Sequence, residues 1–520
     1  MNMDRKYTGY SAEQPESAAR LENIRKTKST AHTKAAGAPS ADGGEYEAVI
    51  GVEIHVELCT KTKMFCSCST EFGAAPNTHI CPVCTGVPGA MPQINAAAVR
   101  KAVAAGLALN CTVHKVSAFD RKNYFYPDLP KGYQITQYFH PICTDGYLVI
   151  DTPEKKKIGI ARIHMEEDAG KLLHGEGGTL VDCNRCGVPL IEIVSEPELS
   201  SGEEAAAFFR KMRSILMFAG VTDGKMNEGS LRCDLNISLR KVGSKTLGVR
   251  TETKNLNSFQ NVRLAAECEI KRQREILSSG GTVVQETRKF SPERMETSAM
   301  RQKETAEDYR YYPEPDLLPV CLGEDDIQKI RAALPEAPDK KAERYEKEYG
   351  VSRDDADILT SQPEIAAWFE AAADSCRHKK LCANILIAEI LRLLSPGETP
   401  SFDALHLGSI ADMMGDGIIN SAVAKKLVAD LQKGDFDPRA RVETENLGQI
   451  NSKEELSLLA VQAAECSPGA VRDFLGGKKS AEKAIVGKAM ALSRGRANPA
   501  LLAAEIGALL EKMKDGAQDI

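Results

Sequence analysis

Residues 46–58, YEAVIGVEIHVEL, contain the pattern that most constrains the fold of this chain. From Ile50 onwards the even positions are aliphatic, whereas the odd positions include Glu53, His55 and Glu57. Because successive side chains of a β-strand point to opposite faces, the segment predicts a strand with one apolar and one polar face. The polar face is a candidate site for chemistry.

Elements of both kinds follow this strand. Strands are predicted at 147–150, 157–163, 188–194 and 232–239, and helices at 95–109, 203–219 and 259–277. Beyond Pro313–Asp316 the segments are typical of helices. The predicted fold class is therefore α+β, a mixed and mostly antiparallel sheet followed by all-α parts.

Length and charge limit the class of protein. The chain has 520 residues, enough for about three domains. Its 67 Lys and Arg against 73 Asp and Glu give a formal charge of −6, which excludes a polycationic nucleic-acid binder but allows a local basic patch. Residues 1–45 are interpreted as a disordered extension without the features of a secretory or organellar signal, so a cytoplasmic location is expected.

The 15 cysteines favour a reduced chain with a metal site over a disulfide framework. Two close pairs, twelve residues apart, suit one tetrahedral zinc ion. They are Cys66 and Cys68, then Cys81 and Cys84. A further pair, Cys183 and Cys186, stays open as an alternative source of ligands.

Acidic residues recur where strands are predicted. Glu53 and His55 suit Mg²⁺ or Mn²⁺ better than zinc. Glu192 is a carboxylate inside an apolar strand, where it needs a partner such as a cation. The run Glu166–Asp168 follows another strand, and Lys171 after it is a candidate phosphate contact.

Other segments contain basic residues, but none contains a recognisable catalytic nucleophile with its base. Residues 119–128 interleave cations and aromatic rings, which suits either a nucleotide surface or a packed loop. Arg232 and Lys254 lie in polar segments of the type that surrounds a phosphoryl group. Known phosphate-binding glycine loops and dinucleotide fingerprints do not occur, and Ser278–Gly281 is interpreted as a turn at a helix end.

Six of these segments together resemble one family. They are VIGVEIHVEL (49–58), DRKNYFYPD (120–128), HMEEDAGK (164–171), PLIEIVSEP (189–197), KNLNS (254–258) and DYRYYPEPD (308–316). They closely resemble the B subunit (GatB) of the aspartyl/glutamyl-tRNA amidotransferases, from about Tyr46 to Lys514. With the extension at 1–45, the resemblance implies a catalytic cradle at 46–322, a helical domain at 323–404 and a YqeY-like tail at 405–520.

The resemblance also implies a reaction. ATP would activate the side-chain carboxylate of Glu-tRNA(Gln) or Asp-tRNA(Asn) as an acyl phosphate, and ammonia would then form the amide. Such a ligase works by positioning and charge neutralisation, which explains the missing nucleophile. A partner amidase, the A subunit, would supply ammonia, and a small C subunit would complete a heterotrimer.

Site residues are carried over from the resemblance by motif. The implied Mg²⁺ ligands and catalytic residues are Glu53, His55, Glu167 and Glu192, with Glu166 and Asp168 nearby. The implied phosphate contacts are Lys122, Lys171, Arg232 and Lys254.

A basic stretch in the tail is a candidate tRNA contact. Residues 471–496 hold seven Lys and Arg against two acids, which suits a tRNA backbone, although a solvated helix face has the same composition. The candidate tRNA-binding residues are Lys478, Lys479, Lys483, Lys488, Arg494 and Arg496.

Two other functions stay open at this point. One is a zinc-stabilised RNA-binding scaffold without catalysis, which has no reason to place Glu53, His55 and Glu192 together. The other is a free-standing amidase, which needs a nucleophile and its base.

Overall fold

The computed structural model describes residues 45–302, 306–395 and 397–518. Residues 1–44, nearly all of the predicted extension, lie outside the described residues. The strands are β1 (Tyr46–Glu57), β2 (Thr112–Val113), β3 (Val116–Ser117), β4 (Asp120–Asn123), β5 (Tyr133–Thr136), β6 (Cys143–Ile150), β7 (Lys156–Glu167), β8 (Lys171–Gly175), β9 (Gly178–Asp182), β10 (Pro189–Ser195), β11 (Leu231–Lys241), β12 (Thr251–Leu256), β13 (Glu286–Ser291), β14 (Glu296–Gln302), β15 (Tyr312–Pro313) and β16 (Val320–Cys321).

Helices lie between the strands and fill the second half of the chain. They are α1 (Ala96–Ala108), α2 (Gly202–Phe218), α3 (Phe259–Ser278), α4 (Ala306–Tyr309), α5 (Glu324–Ala332), α6 (Pro338–Tyr349), α7 (Arg353–Leu359), α8 (Pro363–Asp374), α9 (Lys379–Ile385), α10 (Ala404–Gly415), α11 (Ser421–Leu431), α12 (Pro438–Thr444), α13 (Lys453–Glu465), α14 (Pro468–Leu475), α15 (Glu482–Leu492) and α16 (Pro499–Gln518). Among the described helices, none is both long and apolar enough to cross a membrane.

A nine-stranded sheet organises the first half, in the order β14-β13-β12-β11-β1-β10-β7-β6-β2. Adjacent strands of this sheet are antiparallel, except β12 and β13, which are parallel to each other. The predicted α+β class with a mostly antiparallel sheet is therefore confirmed. Strand β1 lies in the middle of the sheet, between β10 and β11.

Helices α2 and α3 cover the apolar face of the sheet. The aliphatic positions of β1, such as Ile50 and Ile54, are fully buried with Phe208 and Phe209 of α2. Burying one such side chain contributes about 1.5–3 kcal/mol. The side chain of Ser201 caps α2 and that of Ser258 caps α3, each accepting a backbone N–H three residues later. The opposite, polar face of β1 is not covered by these two helices and carries the candidate site residues.

Two further hydrophobic cores lie in the helical half. The second contains buried residues from Ala342 to Val442, and the third contains residues from Leu456 to Leu510. Helix α10 belongs to the second core, although a domain boundary is predicted at 404/405. We propose that the two helical units meet between Val442 and Leu456.

Candidate active site and metal centres

Five strands bring polar side chains to the face of the sheet opposite α2 and α3. In the register, Glu53 lies opposite Asp234, His55 lies opposite Glu192, and Glu192 in turn lies opposite a histidine of β7, His164. Directly paired residues on neighbouring strands point to the same face. The predicted polar face of β1 is therefore the centre of a larger polar surface formed by β7, β10, β1, β11 and β12.

One group on this surface contains His55, Glu166 and Glu192, each offering a ligand atom within 4.8 Å of the others. His55 Nε2 lies 3.4 Å from Glu192 Oε2. His164 Nε2 lies 3.1 Å from Glu166 Oε1 and 3.5 Å from Glu192 Oε2. All four side chains are buried or half-buried. Two carboxylates and an imidazole in this arrangement fit a divalent cation that prefers oxygen ligands.

The carboxylates of this group are ionised at neutral pH. Burial alone raises the pKa of Glu166, but the hydrogen bond and charge of His164 lower it to about 2. Burial likewise opposes the charge of Glu192, and the two histidines hold its pKa well below the ordinary value. Burial lowers the pKa of His55, but Glu192 and other carboxylates raise it to about 9. Two ionised carboxylates therefore meet at this point, and a divalent cation that used His55 as a ligand would displace the proton of its imidazole.

A second carboxylate group lies beside the first. Glu53, Asp234 and Glu252 offer oxygens within 4.8 Å of one another. Lys254 Nζ lies 3.2 Å from Asp234 Oδ2 and 3.0 Å from Glu252 Oε1. Burial lowers the pKa of Lys254, but these carboxylates raise it further, so the ammonium group is retained. The amide of Asn236 donates to Glu53 Oε1 at 2.8 Å.

Glu167 is not brought to either group. It follows Glu166 on β7, so its side chain points to the other face. There it forms an ion pair with Lys131 and accepts the backbone N–H of Ile135 at 3.0 Å. Glu166 instead shares the face of His164, two residues earlier. The same alternation, applied to His164–Glu167, would have selected Glu166 from the sequence.

The predicted phosphate contacts separate into two classes. Lys122 lies 4.8 Å from the ring centre of Tyr309, and its charge lowers the pKa of Glu166, so it borders the first group. Lys254 borders the second group. Lys171 lies exposed on the β8–β9 hairpin, which is a separate two-stranded sheet. Its side chain is accordingly available to a ligand that reaches this hairpin.

Arg232 points to the same polar surface but already has a carboxylate partner. Its Nη2 lies 2.9 Å from Asp168 Oδ2. Burial and the neighbouring Asp168 raise the pKa of Glu57 to about 8, and Arg232 opposes this rise. Glu57 and Asp168 therefore form a close carboxylate pair in which burial favours a proton on Glu57 and the arginines favour the charge of Asp168.

Asp234 and Glu252 are functional candidates that sequence reasoning placed only within longer polar segments. Both are buried carboxylates on strands. Glu252 occurs in RTETKNL and Asp234 in LRCDLN, where alternation predicts the strands but not which residues meet. Only the pairing of β11 with both β1 and β12 shows that these carboxylates face Glu53.

Four cysteines form the predicted thiol cluster. The Sγ atoms of Cys66, Cys68, Cys81 and Cys84 all lie within 4.8 Å of one another. Tetrahedral zinc with Zn–S bonds of about 2.3 Å needs sulfurs about 3.8 Å apart, and those of Cys81 and Cys84 are 4.0 Å apart. Hydrogen bonding from Cys66 is the main cause that lowers the pKa of Cys84 to about 4. The cluster therefore fits zinc in both geometry and chemistry.

Cys183 and Cys186 are not part of this cluster. Cys186 is buried, and its thiol donates to the carbonyl oxygen of Asp128 at 3.5 Å. Burial raises the pKa of this thiol. We therefore assign no metal to this second pair.

The basic residues of the tail are mostly exposed. The side chains of Lys478, Lys479, Lys483, Lys488 and Arg494 face solvent. Arg496 differs because it is half-buried, and its Nη1 donates to the carbonyl of Asn446 at 2.6 Å. Arg496 thus joins two segments of the fold, whereas the five others form a surface that an anionic backbone can reach.

Comparison with known proteins identifies the family. The family model of the GatB/GatE catalytic domain matches residues 48–328, and that of the GatB domain at the carboxyl end matches residues 367–510. The chain is 48% identical over 479 residues to the B subunit of an aspartyl/glutamyl-tRNA(Asn/Gln) amidotransferase of Caldicellulosiruptor saccharolyticus, covering 90% of this chain and 100% of the relative.

Two further relatives carry the same name. The protein of Agathobacter rectalis is 48% identical over 464 residues, covering 88% of this chain and 98% of the relative. That of Chlorobium phaeobacteroides is 44% identical over 477 residues, covering 91% of this chain and 100% of the relative. The chain therefore belongs to the B-subunit family of the aspartyl/glutamyl-tRNA(Asn/Gln) amidotransferases.

Proposed function

We propose that this chain is the activating component of a tRNA-dependent amidotransferase, a carbon–nitrogen ligase. Its substrates are ATP and a tRNA carrying misplaced glutamate or aspartate. The observation that carries the proposal is the pair of buried carboxylate groups on one face of the sheet, bordered by Lys122 and Lys254. A scaffold that only binds RNA gains nothing from assembling buried carboxylates there, since each ionised group has a desolvation cost.

The reaction needs two anions to approach each other. A carboxylate oxygen of the aminoacyl group attacks the γ-phosphorus of ATP, and ADP leaves. Ammonia then attacks the carbonyl carbon of the acyl phosphate, and inorganic phosphate leaves as the amide forms. Mg²⁺ bound at these carboxylates would neutralise phosphate charge and hold the oxygens in line. His55, Glu166 and Glu192 would hold one ion, and Glu53, Asp234 and Glu252 a second.

The residues of this chain orient the reactants. We infer that Lys122 and Lys254 contact phosphate oxygens, because each ammonium group borders one carboxylate group and is held there by charge. Arg232 lies opposite His55 in the register and lowers the pKa of its ion-pair partner Asp168, and we retain it as a candidate phosphate contact. Lys171 is retained as a catalytic candidate on the exposed hairpin.

The proposed reaction needs a source of ammonia, which bears on the partners and the cellular location of the chain. The motifs and the described site show no amidase nucleophile with its base, and the relatives are named as one subunit of a larger enzyme. We propose that a partner amidase, the A subunit, is that source and that a small C subunit is the third member of a heterotrimer. We propose that the complex acts in the cytoplasm, where bacterial relatives would meet aminoacyl-tRNA.

We further infer that the four-cysteine cluster holds a structural zinc ion. Its segment, residues 59–95, contains β-bridges and turns but no strand or helix among the described elements. A metal that links four side chains supplies the cross-links that such a segment lacks. One zinc ion per chain is the expected content of the purified protein.

Substituting the neighbouring acids Glu166 and Glu167 of β7 one at a time shows which of them is a Mg²⁺ ligand. We expect Glu166→Gln to raise the Mg²⁺ concentration for half-maximal amidation at least about 10-fold, because a metal ligand is lost. Glu167→Gln breaks a buried ion pair with Lys131 on the other face, which lowers stability but removes no ligand of this group. The Mg²⁺ requirement of the folded variant therefore stays within about 2-fold of the wild type. Equal shifts in both variants would refute this ligand set. Mg²⁺ titrations at saturating ATP give the measurement.

Two exposed lysines of α15 test the tail. We expect Lys483→Ala with Lys488→Ala to weaken tRNA binding and to reduce the salt slope of log Kd by about 1–2, because about 0.9 counterions are released per phosphate contact. Lys453→Ala, which changes an exposed lysine of α13 in the same core unit, serves as the control. Fluorescence titrations with labelled tRNA at several salt concentrations measure the slope. An unchanged slope would show that these lysines are only solvated and do not contact the tRNA backbone.

A further inference from the structure

Lys63 is a fully buried lysine that none of the steps above uses. It is 0% exposed. Its Nζ lies 3.5 Å from the Sγ of Cys84, and it donates to the carbonyl of His79 at 2.7 Å and to the carbonyl of Cys183 at 3.3 Å. An ammonium group has three hydrogens to donate, and all three have a partner. One partner is a sulfur and two are carbonyl oxygens, so the only ionisable partner is the thiol.

A buried ammonium group beside a four-thiolate zinc centre has a clear electrostatic role. Four thiolates and Zn²⁺ together carry a charge of −2. A buried net charge without compensation is costly, and a cation at hydrogen-bond distance reduces it. Hydrogen bonds to a thiolate also withdraw charge from the sulfur, and groups outside the ligand set tune metal affinity in this way.

The same residue joins the cysteine cluster to the sheet. The backbone N–H of Lys63 donates to the carbonyl of Cys68 at 3.0 Å, and that of Met64 donates to Gly187 at 2.7 Å. Its side chain reaches the carbonyl of Cys183. Residues 183–187 form the turn that leads into β10, the strand of Glu192. The side chain of Lys63 and the backbone of the next residue, Met64, therefore both link the cluster segment to this turn.

We propose that Lys63 is the counter-charge of the zinc centre and that its ammonium group fixes the centre to the turn before β10. The proposal rests on the zinc assignment made above. Lys63 touches neither substrate nor the reacting atoms, so it is a positioning residue. Its removal weakens zinc retention first, and it affects amidation only through the turn.

Zinc release from the purified full chain tests the proposal. The wild type is expected to hold about one zinc ion per chain by elemental analysis. With a chromogenic chelator in excess, we expect Lys63→Met to release zinc at least about 10-fold faster than the wild type. Lys61→Met, which changes an exposed lysine two residues away, is the matched control and should release zinc at the wild-type rate. Circular dichroism checks that each variant is folded.

A second variant and a spectroscopic signal separate charge from packing. Lys63→Gln keeps a hydrogen-bond donor but removes the charge, and it also serves if Lys63→Met does not fold. We expect it to release zinc faster than the wild type and, after exchange of zinc for Co²⁺, to move the sulfur-to-cobalt absorption band to lower energy. Folded Lys63 variants with wild-type release rates and band position would overturn the proposal. A wild type that binds no zinc would instead overturn the zinc assignment itself.

Discussion

Glu192→Gln is expected to lower kcat for amide formation by about 10³-fold, because the variant loses a buried anionic oxygen at the first carboxylate group. Glutamine has the same size but no charge. The two imidazoles that now contact Glu192, at 3.4 Å and 3.5 Å, would lose their common counter-charge. The measurement is kcat and KM for aminoacyl-tRNA at saturating ATP and Mg²⁺ in the assembled complex.

A control on β1 separates loss of the site from loss of the sheet. Glu47 lies on the central strand β1 and pairs with Arg240 at 2.6 Å, but it is half-exposed and remote in register from His55. Glu47→Gln is therefore expected to retain kcat within about 2-fold, as exposed ion pairs contribute little. If Glu192→Gln is folded and retains wild-type kcat, the first carboxylate group is not part of the activation site.

Glu269→Gln is expected to destabilise the sheet-containing part by about 3 kcal/mol, because it removes the buried carboxylate that Arg272 and Arg288 share. The effect lies at the low end for a broken buried ion pair, since Arg288 keeps a second carboxylate partner in Glu286. Glu269 on α3 is 0% exposed. It contacts Arg272 at 2.6 Å and Arg288 at 3.2 Å. It also accepts the hydroxyl hydrogens of Thr251 and Thr297, each at 2.7 Å. The network ties α3 to β12, the strand of Glu252 and Lys254, and urea unfolding of both proteins measures its contribution.

The stability difference between the wild type and Glu269→Gln changes with pH in a direction that the pKa of Glu269 determines. Burial opposes the charge of Glu269, yet Arg272 and three further hydrogen bonds hold its pKa below the ordinary 4.5. A depressed pKa contributes stability that is complete above the unfolded-state pKa and is lost as pH falls through the folded-state pKa. The stability difference between wild type and Glu269→Gln should therefore narrow below pH 4.5. A difference that widens on acidification would contradict the network.

Glu267 supplies the matched control for this stability effect. It lies on the same helix two residues earlier, and its ion pair with Arg263 is about half exposed. Exposed i,i+4 pairs contribute only about 0.3–0.5 kcal/mol, so Glu267→Gln should be nearly neutral. A similar loss of stability in both variants would show that any substitution in this part of α3 destabilises the protein. The buried network would then have no specific contribution.

Local sequence patterns predicted strand β1 and its polar face, because alternation depends only on residues that are neighbours in sequence. The alternation in residues 46–58 identified β1, its buried face and the polar face that carries His55. The spacing of the four cysteines predicted their cluster, since two short turns bring each pair together. These features need no information about which strands become neighbours.

Features that depend on strand pairing were predicted incompletely. Glu166 and Glu167 are adjacent in sequence, and alternation assigns Glu166 to the face of His164. Only the pairing of β7 with β10 shows that this face is the one that carries Glu192 and His55. Asp234 and Glu252 join Glu53 through pairing between β1, β11 and β12, which no local pattern contains. The predicted boundary at 404/405 stays a prediction, and the buried residues of α10 group with the second core.

Amide formation by the assembled complex tests the central claim most directly. The chain, co-expressed with the amidase and the small third protein of the proposed heterotrimer, is supplied with Glu-tRNA(Gln) or Asp-tRNA(Asn), ATP, Mg²⁺ and ammonium chloride in place of glutamine. We predict amide product that requires both ATP and Mg²⁺, and its loss in Glu53→Ala while tRNA affinity stays within about 3-fold of the wild type. Full amidation by folded Glu53→Ala, or no product from either tRNA despite intact tRNA binding, would contradict activation on this chain.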